Sequence, residues 1–150
     1  MHEEAQYDEL RSKLFIDAMR MDEELIQHPM ILQTVTEFAA DAMQIRDLLK
    51  SHVEVVTAET ASRLRSVTGK DGKPPSEARI ASELPMFEAI RDAQAEYEAA
   101  KHDYNYWSGL VESYREKGGS LKRIAELTIA GFLAPNMARR KEMAEKRNAT

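Results

Sequence analysis

A chain of 150 residues, 43% apolar and 31% charged, with six Gly, five Pro and no Cys, has room for one domain or a small assembly unit. It contains no run of about 18 apolar residues that would span a membrane, and the opening His2-Glu3-Glu4 is not the basic-then-apolar start of an export signal, so the expectation is a cytoplasmic protein. The missing Cys excludes disulfide scaffolds, Cys-ligated zinc, iron–sulfur clusters and thiol nucleophiles, and the net charge of −5 hides an acidic head and a basic tail suited to different partners.

Residues 3–27 have helical patterning with an interruption at Phe15-Ile16-Asp17, where Asp17 is placed to cap a second short helix. From Met30 the apolar positions Ile31, Val35, Phe38, Ala42, Ile45 and Leu49 step by 4 and 3, and Val53, Val56 and Leu64 extend the series. With Pro29 at its first position, this predicts a helix from Pro29 to Arg65, about 37 residues and roughly 55 Å long. A compact globule of this size has a radius of gyration near 15 Å, so a rod of that length calls for coiled-coil packing and further subunits.

Thr68 to Glu77 is a cluster of turn formers and breakers that continues neither neighbour. A second rod follows, in which Met86, Ile90, Ala93, Tyr97, Ala100, Tyr104, Trp107, Val111 and Tyr114 step by 4 and 3 without a miss. Pro85 suits its first position and Gly118-Gly119 its end. The two rods are expected to fold back antiparallel, with Ile90, Tyr97, Tyr104, Trp107 and Val111 along the hairpin seam. Ser120 to Phe132 reads as a short amphipathic helix capped by Ser120 and closed by Pro135, with Leu121, Ile124, Leu127 and Thr128 forming an assembly face. The fold class is therefore all-α: a long antiparallel helical hairpin with short N-terminal helices and a short C-terminal helix, assembling into a homo-oligomer. Residues 1–135 form the hairpin domain, and 136–150 a basic tail without an apolar face.

Catalytic patterns are missing: there is no P-loop, GxGxxG, GxSxG or HExxH. The pairs Glu24 with His28 and Glu98 with His102 have helical i, i+4 spacing, but di-iron bundles use Glu-x-x-His instead, so neither pair is assigned a metal and no cofactor is expected. Three features admit a binding role. Arg63, Arg65, Lys70, Lys73 and Arg79 surround the Gly-rich elbow against only Asp71 and Glu77, an arrangement that can follow a phosphate backbone or merely solvate a loop. Tyr97, Tyr104, Tyr106, Trp107 and Tyr114 offer rings for base stacking, although all but Tyr106 lie on the seam, where core packing accounts for them better. Arg139, Arg140, Lys141, Lys146 and Arg147 make the tail basic against Glu142 and Glu145.

The order of local features resembles that of the UvsY-type recombination mediators of tailed bacteriophages over residues 7–130. Glu9-Leu10 with Phe15-Ile16-Asp17 looks like that family's opening. Arg63-Leu64 before Gly69-Lys70-Asp71-Gly72, then Ser82-Glu83 opening the second rod, Tyr106-Trp107, and finally Gly118, Leu121-Lys122 and Ile124 follow at compatible spacings. The sequence departs from the family pattern at Ala61, where a Lys two residues before the elbow Arg is expected, and residues 134–150 run past the family's usual end. The resemblance implies a non-enzymatic, ring-like homo-oligomer in the infected host cytoplasm. It would bind single-stranded DNA and help load a RecA-like recombinase where single-strand-binding protein already coats the strand.

On that reading, Arg63, Arg65, Lys70, Lys73 and Arg79 carry the DNA contacts. Weak elbows repeated along one rim would gain avidity. Other readings are a coiled-coil scaffold without DNA affinity, and an acidic DNA mimic or nuclease inhibitor using the head, residues 1–60, where thirteen acidic against five basic side chains give −8. A secreted Trp-x-Gly hairpin also competes, but Trp107-Ser108-Gly109 falls inside an unbroken helical run rather than at a turn.

Overall fold

The computed structural model describes residues 2–67 and 74–131, with Glu142 and Glu145, and the side chains from Ala5 onward. Among these residues there is no strand, and no helix is long and apolar enough to cross a membrane. The elements are α1 (His2–Ser12), α2 (Met21–Ser66), α3 (Glu77–Glu83), a 3₁₀ turn (Leu84–Met86) and α4 (Glu88–Ile129). The two long helices, α2 and α4, pack together. The chain divides into two compact units: residues 1–37 with 108–150, and residues 38–107, each containing a stretch of both long helices.

In the first unit α1 stops at Ser12 and the chain runs without helix to Arg20. Asp17 does not cap the next helix, whose first hydrogen bond runs from the Glu24 N–H to the Arg20 carbonyl; it holds a turn just before it, its Oδ1 accepting from the Met19 N–H at 2.9 Å and its carbonyl from the Arg20 N–H at 3.0 Å. The helix that follows is not short, however. It begins at Met21 and continues through Pro29 to Ser66, so Pro29 lies inside α2 rather than at its start. Proline there removes one backbone hydrogen bond and crowds the preceding turn. The packing on either side carries the helix through: His28 is wedged against α4 and Val35 is fully buried.

The converse holds at Gly118-Gly119. The pair does not end α4, which runs on to Ile129, so Ser120 is an interior, exposed helical residue and the short helix expected from Ser120 is the last part of α4. Two glycines weaken a helix by about 1 kcal/mol each relative to Ala. Here Tyr114, Lys117 and Leu121 keep one buried face in register across them. The helix stops instead at Gly131, whose φ of +79° is the left-handed conformation that glycine adopts without penalty, and Pro135 lies outside the described residues.

In the second unit the connection holds a helix the sequence reading missed. The Ser76 hydroxyl accepts from the Arg79 N–H at 3.3 Å and opens α3, and Ile80 anchors it in the core. Ser82 and Glu83 therefore close α3 rather than open the second rod. Pro85 has no N–H to continue the hydrogen bonding of α3 and sits in the 3₁₀ turn, and Phe87 is extended (φ −73°, ψ 128°), so α4 starts only at Glu88, where the Phe87 carbonyl accepts from Ile90 and Arg91. Met86 consequently leaves the seam and is exposed.

The remaining seam positions behave as spaced: Ala93, Ala100 and Trp107 are buried, Ile90, Tyr97 and Tyr104 half-buried, and in the first unit Val111 and Tyr114 are buried. On α2, Ala42 is buried but Ile45 is exposed, because Arg46 takes the place facing α4 and lays its guanidinium 4.2 Å over the Tyr104 ring. Phe38 meets Trp107 at 4.9 Å between ring centres. Since Phe38 faces Trp107 and the later Arg46 faces the earlier Tyr104, the two stretches run antiparallel.

Candidate nucleic-acid interface

Three of the five elbow cations lie on described residues, in the second unit. Arg63 and Arg65 occupy the last turn of α2, and Arg79 lies in α3. All three side chains are mostly exposed, and each has a carboxylate within reach. Arg63 is 3.7 Å from Glu59, Arg65 binds both oxygens of Glu77 at 2.9 and 3.0 Å, and Arg79 reaches Glu83 at 2.6 Å. The fork of Arg65 holds the Glu77 carboxyl below the usual carboxylate range and is itself raised, and Glu83 raises Arg79 in the same way.

The described part of the elbow is therefore balanced in charge, which the sequence count of five cations against two acids did not show: Glu59 and Glu83 come from neighbouring helical turns. Exposed pairs of this kind are weak and exchange readily for a phosphate. Lys70 and Lys73 lie outside the described residues, as do Arg139, Arg140, Lys141, Lys146 and Arg147 of the tail.

The aromatic residues divide. Trp107 and Tyr114 are core side chains, Tyr104 carries Arg46, and Tyr97 has the Lys101 ammonium 5.9 Å from its ring. Tyr106 is the exposed member, with the His102 ring stacked 6.0 Å away. Of the assembly face, Leu121 is buried within the first unit, whereas Ile124, Leu127 and Thr128 are half-exposed and the Thr128 hydroxyl donates to the Ile124 carbonyl.

A buried polar cluster lies elsewhere, in the first unit, and sequence reading passed over it. Lys117 on α4 is buried, with its side chain 4% exposed, and its ammonium donates to the Lys13 carbonyl at 2.7 Å and to Glu24 Oε2 at 2.5 Å, with the Phe15 carbonyl at 3.4 Å. Glu24 Oε1 accepts from the Asp17 N–H at 3.1 Å, and the Tyr114 hydroxyl donates to the Leu10 carbonyl at 2.6 Å. Burial raises the Glu24 carboxyl, but the hydrogen bonds from Lys117 and Asp17 and the nearby positive charge bring it below its usual range. Burial and the Glu24 charge push Tyr114 up to about 12.

The carboxylate of the Glu24–His28 pair is thus taken by a lysine and a backbone N–H, and no group of three metal-ligand side chains exists among the described residues. A signal for this cluster was present: Lys117 stands three residues after Tyr114 and four before Leu121, on the seam itself. No family model, curated protein or solved structure matches the chain.

Proposed function

We propose that the protein is a non-enzymatic, homo-oligomeric mediator that binds single-stranded DNA and helps load a RecA-like recombinase onto strands coated by single-strand-binding protein. The observation that carries this reading is the ordered set of short UvsY-like features from Glu9-Leu10 to Ile124. An all-helical chain with exposed Arg63 and Arg65 at the end of α2 and exposed Arg79 in α3 is compatible with it. On this reading the Arg63, Arg65 and Arg79 guanidinium groups exchange their carboxylates for phosphates. Lys70 and Lys73 add two further cations, and repetition around an oligomer makes weak binding add.

The test is a salt series of binding to labelled single-stranded DNA, with duplex as control, for the parent chain and for Arg63→Glu combined with Lys70→Glu. The expected result is sequence-independent weakening, with the log–log salt slope reduced by about 0.7 for each phosphate no longer neutralised and oligomer mass unchanged. Binding by the double variant as tight as the parent's, together with its abolition on removing residues 136–150, would move the site to the tail.

The three carboxylates facing the elbow arginines favour a second reading, a helical scaffold that assembles without DNA affinity. Exposed Ile45, Leu48 and Val55 on α2 suit it equally. No binding of single-stranded DNA at low salt by a chain of high oligomer mass selects the scaffold.

A further inference from the structure

His28 sits in a notch that Gly118 leaves in α4: a Cβ on Gly118 would lie 2.6 Å from His28 Nε2. The ring stands 6.0 Å from that of Tyr114, and its Nδ1 is buried without a hydrogen-bond partner. The charged groups around it are Glu24 from its own helix and Lys117 from α4, with Tyr114 as the neutral titratable neighbour. From the α1 side the cluster receives backbone groups, namely the carbonyls of Leu10, Lys13 and Phe15 and the N–H of Asp17. The Lys13 side chain points away to Glu9 at the surface.

We propose that His28 is an acid-sensitive latch, whose protonation releases α1 and the 13–20 connection from the anchor that Lys117 of α4 forms with Glu24 of α2. The anchor is balanced while His28 is neutral, with one ammonium against one carboxylate. A proton on His28 adds a second cation beside Lys117 and requires an acceptor at a buried Nδ1 that has none. The ring must then leave the notch or draw Glu24 from Lys117. Either event loosens the bonds that Lys117 and Glu24 make to Lys13, Phe15 and Asp17, which hold the non-helical connection.

Burial first, and then Lys117, hold His28 below its ordinary value of 6.5, with Glu24 opposing. The released state therefore binds more protons than the docked one, and docking weakens as pH falls below about 6.5. Glu24 protonates only at lower pH, since its own value is depressed below 4.5. The inference concerns the first unit alone and does not depend on nucleic-acid binding.

Hydrogen exchange on the full chain between pH 7.5 and 5, corrected for intrinsic rates, tests it. Opening of residues 2–20 should increase by up to tenfold per pH unit below about 6.5, while residues 93–107 stay unchanged. His28→Gln should abolish that increase down to pH 5, and an increase that persists in a folded H28Q overturns the proposal. Should H28Q not fold, the parent decides by NMR. A shared midpoint for the His28 ring and the Asp17 amide sustains the latch, and a ring that titrates without moving the Asp17 amide overturns it.

Discussion

The two units use the same pair of helices and hold them together differently. In the first, the large fully buried side chains are Tyr114, Leu110, Leu121 and Val35, and polar groups are buried beside them. In the second, the buried side chains are mostly small, Ala42, Ala61, Ala93 and Ala100, with Ile80 and Trp107 as the large ones.

The difference follows from where the backbone breaks of each unit lie. The described breaks of the second unit, at 67, 74–76 and 84–87, are mostly open to water, so they call for little buried polarity; its buried Thr60 hydroxyl simply returns to the Val56 carbonyl at 2.8 Å. Small side chains then let the helices approach closely. The first unit contains a break at residues 13–20, whose freed backbone groups are met by Lys117 and Glu24. A buried ion pair is seldom a net gain over apolar packing, but once a chain break must be covered it satisfies groups that a hydrocarbon cannot.

Perturbing each unit at its own support sharpens the contrast. Trp107→Ala should have the largest effect, a loss of about 3–5 kcal/mol in chemical denaturation, since it removes the ring packed on Phe38 from a seam whose other buried α4 positions are Ala93 and Ala100. Lys117→Met should cost about 3 kcal/mol by leaving Glu24 without its partner. Exchange should then speed first at residues 10–24, not in the second unit. A Lys117→Met loss below about 1 kcal/mol would break the comparison by making the polar anchor dispensable.

The glycine pair gives a finer test. Gly119→Ala, with open space around it, should stabilise by up to about 1 kcal/mol, whereas Gly118→Ala must displace the His28 ring and should forfeit that gain or reverse its sign. Equal thermal shifts for the two variants would mean that His28 does not occupy the notch.

Tyr114→Phe should show the smallest effect, about 0.5 kcal/mol, because the Leu10 carbonyl keeps a second donor in the Lys13 N–H. The parent carries the related pH signature. A tyrosine raised from 10 to about 12 contributes stability that is complete below pH 10 and lost as pH climbs toward 12. Tyr114→Phe should flatten that alkaline loss in a pH series of melting curves.

The 4 and 3 spacing of apolar residues by itself determined that the chain is all-helical and that Val35, Ala42, Ala93, Ala100, Trp107, Val111 and Tyr114 lie inside, because burial of one helical face needs only local periodicity. The interruption at Phe15-Ile16-Asp17 was also legible from sequence, since an Asx turn is built within a few residues, although Asp17 lies outside the cap of α2. The order of elbow and aromatic features supplied the functional reading too, although the carboxylates paired with Arg63 and Arg79 lie four residues away, in helical turns that the count around the elbow did not include.

Only the tertiary structure decided whether breakers break. Pro29 and Gly118-Gly119 carry local penalties of about 1–3 kcal/mol that packing of neighbouring turns outweighs, so the helices run through them. Pro85 had no such support and ended α3. The anchor joining Lys117 to Lys13, Phe15 and Glu24 was hidden for the same reason: its members stand 93 to 104 positions apart, and a lysine on a seam shows no partner until the chain folds back on it.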